Sequence, residues 1–581
     1  MTDDSSAVVD NLVTQFSSPL HCFRELVQNS IDAGSPTVDV WTEYVEGDGH
    51  EGTIALHVDD YGEGMDEHII DQELTRLFAS SKEKDLTKIG QFGIGFVSTF
   101  ALDPEAIQVE TGRSGEYWEV LFHEDRSFTK RKLDVPVEGT QVTIYLTGDI
   151  HRYNQLVEDI EKTLKHWCSH SDTEVTFEDR TPVDGASPEL VRINDPFEVE
   201  GDCNVRVEHE GTEIVAAYSD DPAYGFYNSG LTLALTRSGD DILGDQRAAR
   251  FRYITFKIKS RYLEHTLSRE TVMKDANYEK AMTLLEEAAA DQLFDNLTGA
   301  LEQLVADDDW GLSDVDRYGR FCRYLDAEPR DQLSDIDDRP LLRLVDGTAA
   351  TLADAYDAWN RDGRVLVTDE HTDLSEQLLA EGIPVFLGTS SAEAEFQEAT
   401  DPVPALIIDY IEACEEATLM NRMRSGVSSL FGVDWSSEVD PVVTDPDSVY
   451  LPVVVDDELP DAVAQLVERA GELLEGVDAG YGRLATCTMG VPQDDPPLFV
   501  FARELSSVMA RPPTRRRPTE DQFEDRPDGA INRDHPHFRR IAEMWNDEPD
   551  IAAYCLAKSL LLTHDRLLTL DRGLMEGARA G

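Results

Sequence analysis

Four short patterns follow one another in a fixed order between residues 25 and 140, and they constrain the fold more than any other part of the chain. They are E-x-x-x-N-x-x-D-A from Glu25, D-x-G-x-G-M from Asp60, G-Q-F-G-I-G-F from Gly90 and G-T from Gly139. The first lies in PLHCFRELVQNSIDAG, residues 19–34, whose periodicity predicts a helix. Glu25, Asn29 and Asp32 stand at i, i+4 and i+7 and so share one face, while Leu20, Phe23, Leu26, Val27 and Ile31 supply the apolar remainder. Ser17 and Ser18 are candidate N-caps, Pro19 suits the first turn, and Gly34 suits the position just past the helix end. Taken alone, such a polar stripe also fits an ordinary surface helix.

Next, VDVWTEYV (38–45) and TIALHVDD (53–60) alternate apolar and polar residues around the glycine-rich EGDGHEG, which predicts a β-hairpin. The second strand runs into Asp60, Gly62, Gly64 and Met65. A carboxylate at a strand end can accept a hydrogen bond from an amino group such as adenine's, and two spaced glycines let backbone approach a flat ligand. An ordinary Asp-Gly turn fits the same fragment. Residues 66–89 are polar and predicted partly helical, and they hold Lys82, Lys84 and Lys88. A lid over a bound triphosphate, with Lys82 contacting phosphate, and a solvated face both account for these lysines. Gly90, Gly93 and Gly95 then precede an apolar helix, where free backbone N–H groups could cradle phosphates. Strands are predicted at 106–110, 116–122 and 140–146, the last placing Val142, Ile144 and Leu146 on one face and completing an α/β sandwich. Thr140 opens that strand with a hydroxyl that could meet a nucleotide base directly or through water.

In series, these motifs resemble the Bergerat ATP-binding domain of the GHKL superfamily, shared by type II topoisomerases, heat-shock protein 90 chaperones, histidine kinases and MutL. The resemblance implies ATP and Mg2+ as cofactors and hydrolysis of ATP to ADP and phosphate. It implies Glu25 as general base, Asn29 as magnesium ligand, Asp32 in support, and Asp60 as adenine anchor with Gly62, Gly64, Met65 and Thr140 around the base. Gly90, Gln91, Phe92, Gly93, Ile94, Gly95 and Phe96 would form the phosphate loop. Further on, Leu267-Ser268-Arg269-Glu270 resembles the middle-domain motif of heat-shock protein 90 chaperones and implies that Arg269 reaches the γ-phosphate. The pattern N-x-x-H-P (532–536), followed by an alanine- and leucine-rich helix, resembles their C-terminal dimerisation region.

The expectation is therefore a divergent member of the heat-shock protein 90 / HtpG family: an α+β, multidomain ATP-dependent chaperone whose dimeric clamp acts on protein clients. Its expected parts are a Bergerat-fold ATP-binding domain (1–190), a middle domain with the Arg269 loop (195–330), a small α/β continuation (331–440), a C-terminal α/β part (441–510), a flexible linker (511–530) and a helical homodimerisation bundle (531–581). Departures from the family pattern are the direct passage from helix to strand at 33–38, a short lid, the lack of a long charged linker, and Met273 four residues after Arg269 where glutamine is common, with Lys274 beside it. A MutL- or topoisomerase-like ATPase of DNA processing or defence is the alternative.

Composition bears on partners and compartment. The net charge of -65, from 116 acids against 51 bases, works against general affinity for nucleic acid without excluding it, and fits a cytoplasm at high salt. Seven scattered cysteines without a C-x-x-C pair point to a reducing cytoplasm. No apolar stretch approaches the roughly 20 residues needed to span a bilayer. Arg515, Arg516 and Arg517 form a basic spot within the proline-rich segment 511–530. Leu556, Leu560, Leu561, Leu567, Leu568 and Leu574 exceed what a short terminal bundle can cover by itself, which implies a partner surface.

Overall fold

The computed structural model describes residues 18–47, 51–75, 94–181, 187–266, 271–389, 401–424, 442–456, 458–490, 496–502, 504–510, 527–562 and 567–580. The chain divides into two compact units, Met1–Phe294 and Asp295–Gly581. That division falls inside the stretch expected at 195–330. The architecture is mixed α+β and multidomain, with a large N-terminal sheet and a helical C-terminal region.

Helix α1 spans His21–Asp32. It begins later than its periodicity suggested, after a turn in which the His21 N–H donates to Ser18 O, and the residue before it, Leu20, makes no side-chain cap. Its end is a Schellman motif: the Ser35 N–H donates to Ser30 O and the Gly34 N–H to Ile31 O, with Gly34 at φ +73°. These bonds satisfy two terminal carbonyls and turn the chain directly into strand β1 (Thr37–Val45).

Strand β1 pairs antiparallel with β2 (Gly52–Asp60), with Val38 opposite Asp60. Six further strands, β3 (Ala106–Arg113), β4 (Glu116–His123), β5 (Phe128–Lys132), β6 (Thr140–Gly148), β7 (Glu174–Asp179) and β8 (Leu190–Arg192), complete a sheet of order β5-β4-β3-β6-β2-β1-β7-β8. Alternation sends Val38, Val40, Leu56, Val58, Ile107, Val109, Val142, Ile144 and Leu146 to one face. There they meet Phe23, Leu26 and Val27 of α1 and Ile160 and Leu164 of α2 (Ile150–Cys168). Each of these side chains contributes about 1.5–3 kcal/mol by leaving water. A one-residue slip of any strand would turn this set outward, so the apolar pattern also sets the height at which Asp60 and Thr140 stand side by side.

A second sheet follows in the same unit: β9 (Asp202–His209), β10 (Thr212–Tyr218), β11 (Tyr224–Asn228), β12 (Leu231–Thr236) and β13 (Ile254–Ser260), ordered β12-β11-β13-β10-β9. Helix α3 (Ala276–Ala288) comes next, with the Asp275 carboxylate accepting from the N–H groups of Asn277 and Tyr278. Residues 267–270, including Arg269, lie outside the described residues. Their flanks pair, the Thr266 N–H donating to Thr271 O and the Met273 N–H to Glu264 O.

In the second unit, Val365–Thr368 is flanked in parallel by Val385–Leu387 and Val443–Thr444. Beyond it, Tyr450–Val455, Leu484–Met489, Asp528–Asn532, Phe499–Ala502 and Val508–Ala510 close a barrel. The helices Asp461–Gly476, Pro536–Met544, Pro549–Leu561 and Leu567–Ala580 share a core that includes barrel residues Phe499, Phe501 and Ile531. Leu556, Leu560, Leu561 and Leu574 are buried in this core. The chain covers these leucines itself, so they do not require a partner; the side chains of Leu567 and Leu568 lie outside the described residues. His535 caps the helix at Pro536 by accepting from the His537 N–H. Most of the segment read as a linker, residues 511–526 with Arg515, Arg516 and Arg517, also lies outside the described residues. Asp528, Gly529 and Ala530 belong to a barrel strand.

Candidate functional site

A cavity of about 330 Å3 lies between α1, the end of β2, the Glu63–Leu74 segment and strands β3 and β6. Leu26, Val58, Val109, Val142 and Phe96 form its apolar walls, and Asn29, Ser30, Asp32, Asp60 and Thr140 are among its polar ones. This size, and this mixture of an apolar body with a few convergent polar groups, are those of a small-molecule site.

Asp60 is the most constrained polar group in the cavity. It is buried, and its Oδ1 accepts from the Gly62 N–H at 2.9 Å and the Thr140 N–H at 3.2 Å. Ser30 Oγ donates to Oδ2 at 3.3 Å. Burial raises the Asp60 pKa above the ordinary carboxylate value, against the lowering effect of these three hydrogen bonds. The β2–β6 register, with Asp60 opposite Thr140, brings the two residues together across 80 positions of sequence.

Thr140 and Met65 join the same wall through Thr111. The Thr111 hydroxyl accepts from the Met65 N–H at 2.8 Å, donates to Gly139 O at 3.1 Å and lies 3.1 Å from Thr140 Oγ1. Gly64 closes the turn at φ +64°, where an added Cβ would stand 2.2 Å from Gly112 O. No larger residue fits this position.

Next in sequence to the lining residue Leu26, Glu25 is buried on α1, one turn before Asn29. A short helix, Ile94–Val97, begins against it: a Cβ on Gly95 would lie 2.7 Å from Glu25 Oε2. The backbone therefore closes on the carboxylate because residue 95 is glycine. Asn29 and Asp32 are exposed on the same face of α1. Gln28 Nε2 donates to Asp32 Oδ1 at 3.1 Å. The Asp32 pKa is raised by partial desolvation, lowered by this bond and raised further by Glu25.

Of the expected residues, Asn29, Asp32, Asp60, Gly64, Met65, Phe96 and Thr140 line the cavity, Gly62 bonds to Asp60, and Glu25 and Gly95 meet each other next in sequence to the lining residues Leu26 and Phe96. Lys82, Gly90, Gln91, Phe92, Gly93 and Arg269 lie outside the described residues, as does the Ile94 side chain. Sequence reasoning missed Ser30, Thr111, Glu63 and Arg113. Thr111 escaped because the predicted strand stopped at residue 110, whereas β3 continues to Arg113. Glu63 and Arg113 both line the cavity and form an ion pair at 2.7 Å. Among the described lining residues Arg113 is the only arginine or lysine.

Among the described residues no group of three or more His, Cys, Asp or Glu side chains is placed to hold a metal ion, and no helix is long and apolar enough to cross a membrane. The seven cysteines form no disulfide.

Comparison with known proteins agrees with this geometry. A family model described as histidine kinase-, DNA gyrase B-, and HSP90-like ATPase matches residues 18–152, the part of the chain that builds the cavity. An ATPase domain of the GHKL class is present. Among curated proteins, "Chaperone protein HtpG" of Desulfotalea psychrophila (strain LSv54 / DSM 12343) is 36% identical over 81 residues. The similarity spans 13% of this chain and 12% of that protein.

Proposed function

We propose that this protein binds ATP in the cavity and hydrolyses it. The observation that carries the reading is a cavity holding a buried, triply hydrogen-bonded Asp60, with Glu25 buried one turn before the lining residue Asn29 and packed against the short helix Ile94–Val97. Asp60 would accept a hydrogen bond from the adenine amino group, with Thr140 and the Gly62–Met65 turn around the base. Asn29 offers a neutral amide oxygen at the cavity wall. A hard divalent ion such as Mg2+ takes one or two protein oxygens and completes its shell with phosphates and water, so this single group suffices as the protein's share. The bound ion would supply charge neutralisation at the phosphates. Backbone N–H groups at the start of the Ile94–Val97 helix would face the phosphates, and Glu25 would orient and deprotonate the attacking water. Arg269 would add a guanidinium where negative charge builds on the transferring phosphoryl group.

ATP turnover in the Glu25→Ala protein is expected to fall about 10²–10³-fold with ATP affinity retained. Steady-state hydrolysis together with equilibrium nucleotide binding checks this, and undiminished turnover would remove Glu25 from the mechanism.

The further reading is a heat-shock protein 90 or HtpG-type chaperone whose dimer, through 531–581, clamps protein clients in the cytoplasm. The HtpG similarity and the Leu267-Ser268-Arg269-Glu270 sequence support it. A MutL- or topoisomerase-like role in DNA processing is the second reading, favoured by the direct passage from α1 into β1. Saturable DNA binding that weakens steeply with salt would select that second reading.

A further inference from the structure

Between the nucleotide-domain sheet and the second sheet of the same unit lies a contact that catalysis does not explain. Helix α2 ends at Cys168, and the turn after it carries His170, buried at 8% exposure. Lys257 of β13 reaches across, its Nζ 2.8 Å from His170 Nε2. A lysine ammonium can only donate, so Nε2 must be the unprotonated acceptor and the ring proton must sit on Nδ1. Nδ1 faces Asp195 O at 3.3 Å, which suits that tautomer. Phe197 and Tyr227 pack edge-on against the ring at 5.3 and 5.1 Å and limit its movement.

The backbone around this contact allows little slack. Gly230, in the turn between β11 and β12, has φ +85°, and a Cβ there would stand 1.8 Å from His170 O. Thr232 Oγ1 donates to His166 O at 2.8 Å, occupying a carbonyl at the end of α2. Trp167, between them, lies under the guanidinium of Arg24 at 4.7 Å, and Arg24 is the neighbour of Glu25 on α1. The α2 terminus therefore touches both the helix that holds Glu25 and the second sheet.

We propose that His170 and Lys257 form a proton-sensitive bolt between the nucleotide domain and the second sheet. When His170 is neutral, the lysine hydrogen bond holds the two together. Protonation puts an N–H on Nε2, so two cationic donors face each other at hydrogen-bond distance inside a buried contact, and the interface opens. The charged groups around the ring are Lys257 and Lys259 of β13, Asp195 on the chain after β8, and Asp172. Burial lowers the Lys257 pKa against the raising effect of Asp195, Glu200 and Glu198, and Glu213 pairs with Lys259. Burial, followed by Lys257, lowers the His170 pKa below the ordinary histidine value. The sign follows: docking is intact above the unfolded histidine value of about 6.5 and is lost as pH falls through the lower folded value.

Hydrogen–deuterium exchange on the full chain from pH 7.5 to 5, corrected for intrinsic rates, tests the bolt. The unmodified protein should show opening in peptides covering 166–172 and 226–232, growing by up to about tenfold per pH unit below roughly 6.5. His170→Gln keeps an acceptor for Lys257 and cannot be protonated, and Lys257→Gln removes the opposing cation; in both, the acid response of these peptides should flatten. Opening spread evenly over the chain, no opening in the unmodified protein, or an unchanged response in both variants would overturn the proposal. Because exchange is read without nucleotide, the result stands apart from whether Glu25 catalyses hydrolysis.

Discussion

Asp60 and His57 stand three residues apart on β2 and face opposite ways, and each shows what burial does to a titrating group. Asp60 is held in the cavity by three donors, yet its raised pKa says that keeping it charged there still costs stability. Asp60→Asn retains the Oδ1 acceptor for Gly62 and Thr140 and removes the charge. It should abolish ATP binding while leaving the urea midpoint at pH 7 undiminished, as calorimetry and a denaturation curve would show. His57, on the far face of the sheet, stacks on Trp41 with centroids 3.4 Å apart, and Arg180 covers the other side of Trp41 at 3.7 Å. Burial and then Arg180 push its pKa down to about 4. His57 is thus neutral at pH 7, and Glu43, 3.7 Å from Nε2, is not an ion-pair partner there. A depressed histidine stabilises the fold above its unfolded value of about 6.5 and loses that contribution as pH falls through about 4. The loss is at most about 3 kcal/mol. Urea midpoints of the unmodified protein should therefore drop more steeply between pH 6.5 and 4 than those of His57→Gln.

At the scale of elements, the short helix at Ile94–Val97 packs against Glu25 of helix α1, and Gly95 sets the spacing there. Gly95→Ala would push the Glu25 carboxylate from its position rather than remove it. Misplacement of a catalytic group by about 1 Å costs on the order of 10²-fold in rate. We expect kcat for ATP to fall by that order with nucleotide affinity changed far less, and single-turnover kinetics would separate the two. The hairpin β1–β2 and the strands β3, β4 and β6 were legible from apolar alternation, and the helical character of 531–581 from its composition. Their ends were less so. Thr111 lies one residue past the predicted end of its strand, and α1 starts two residues after Pro19, because hydrogen bonds to neighbouring elements decide where a strand or helix stops.

At the scale of the whole molecule, the terminal helices are part of a barrel-and-helix core rather than an appendage. Leu560→Ala, at 2% exposure, should cost about 2–5 kcal/mol and lower the unfolding midpoint of the second unit. A homodimer through 531–581 would have to use what this core leaves outside, and Ile551, Leu562 and Met575 are its exposed large apolar residues among those described. If that dimer forms, Leu562→Glu should shift the sedimenting mass from two chains to one, and an unshifted dimer would place the contact elsewhere.

The order of polar residues and glycines from Glu25 to Thr140 determined the class of site from sequence alone, because spacing on one helix and alternation along a strand are local properties. Only the tertiary structure decided that Ser30 lines the cavity and Thr111 braces its wall from behind, that Arg113 pairs with Glu63 at its wall, and that the terminal leucines are buried by their own chain. Those outcomes depend on register and packing between residues tens of positions apart, for which no local pattern carries a signal.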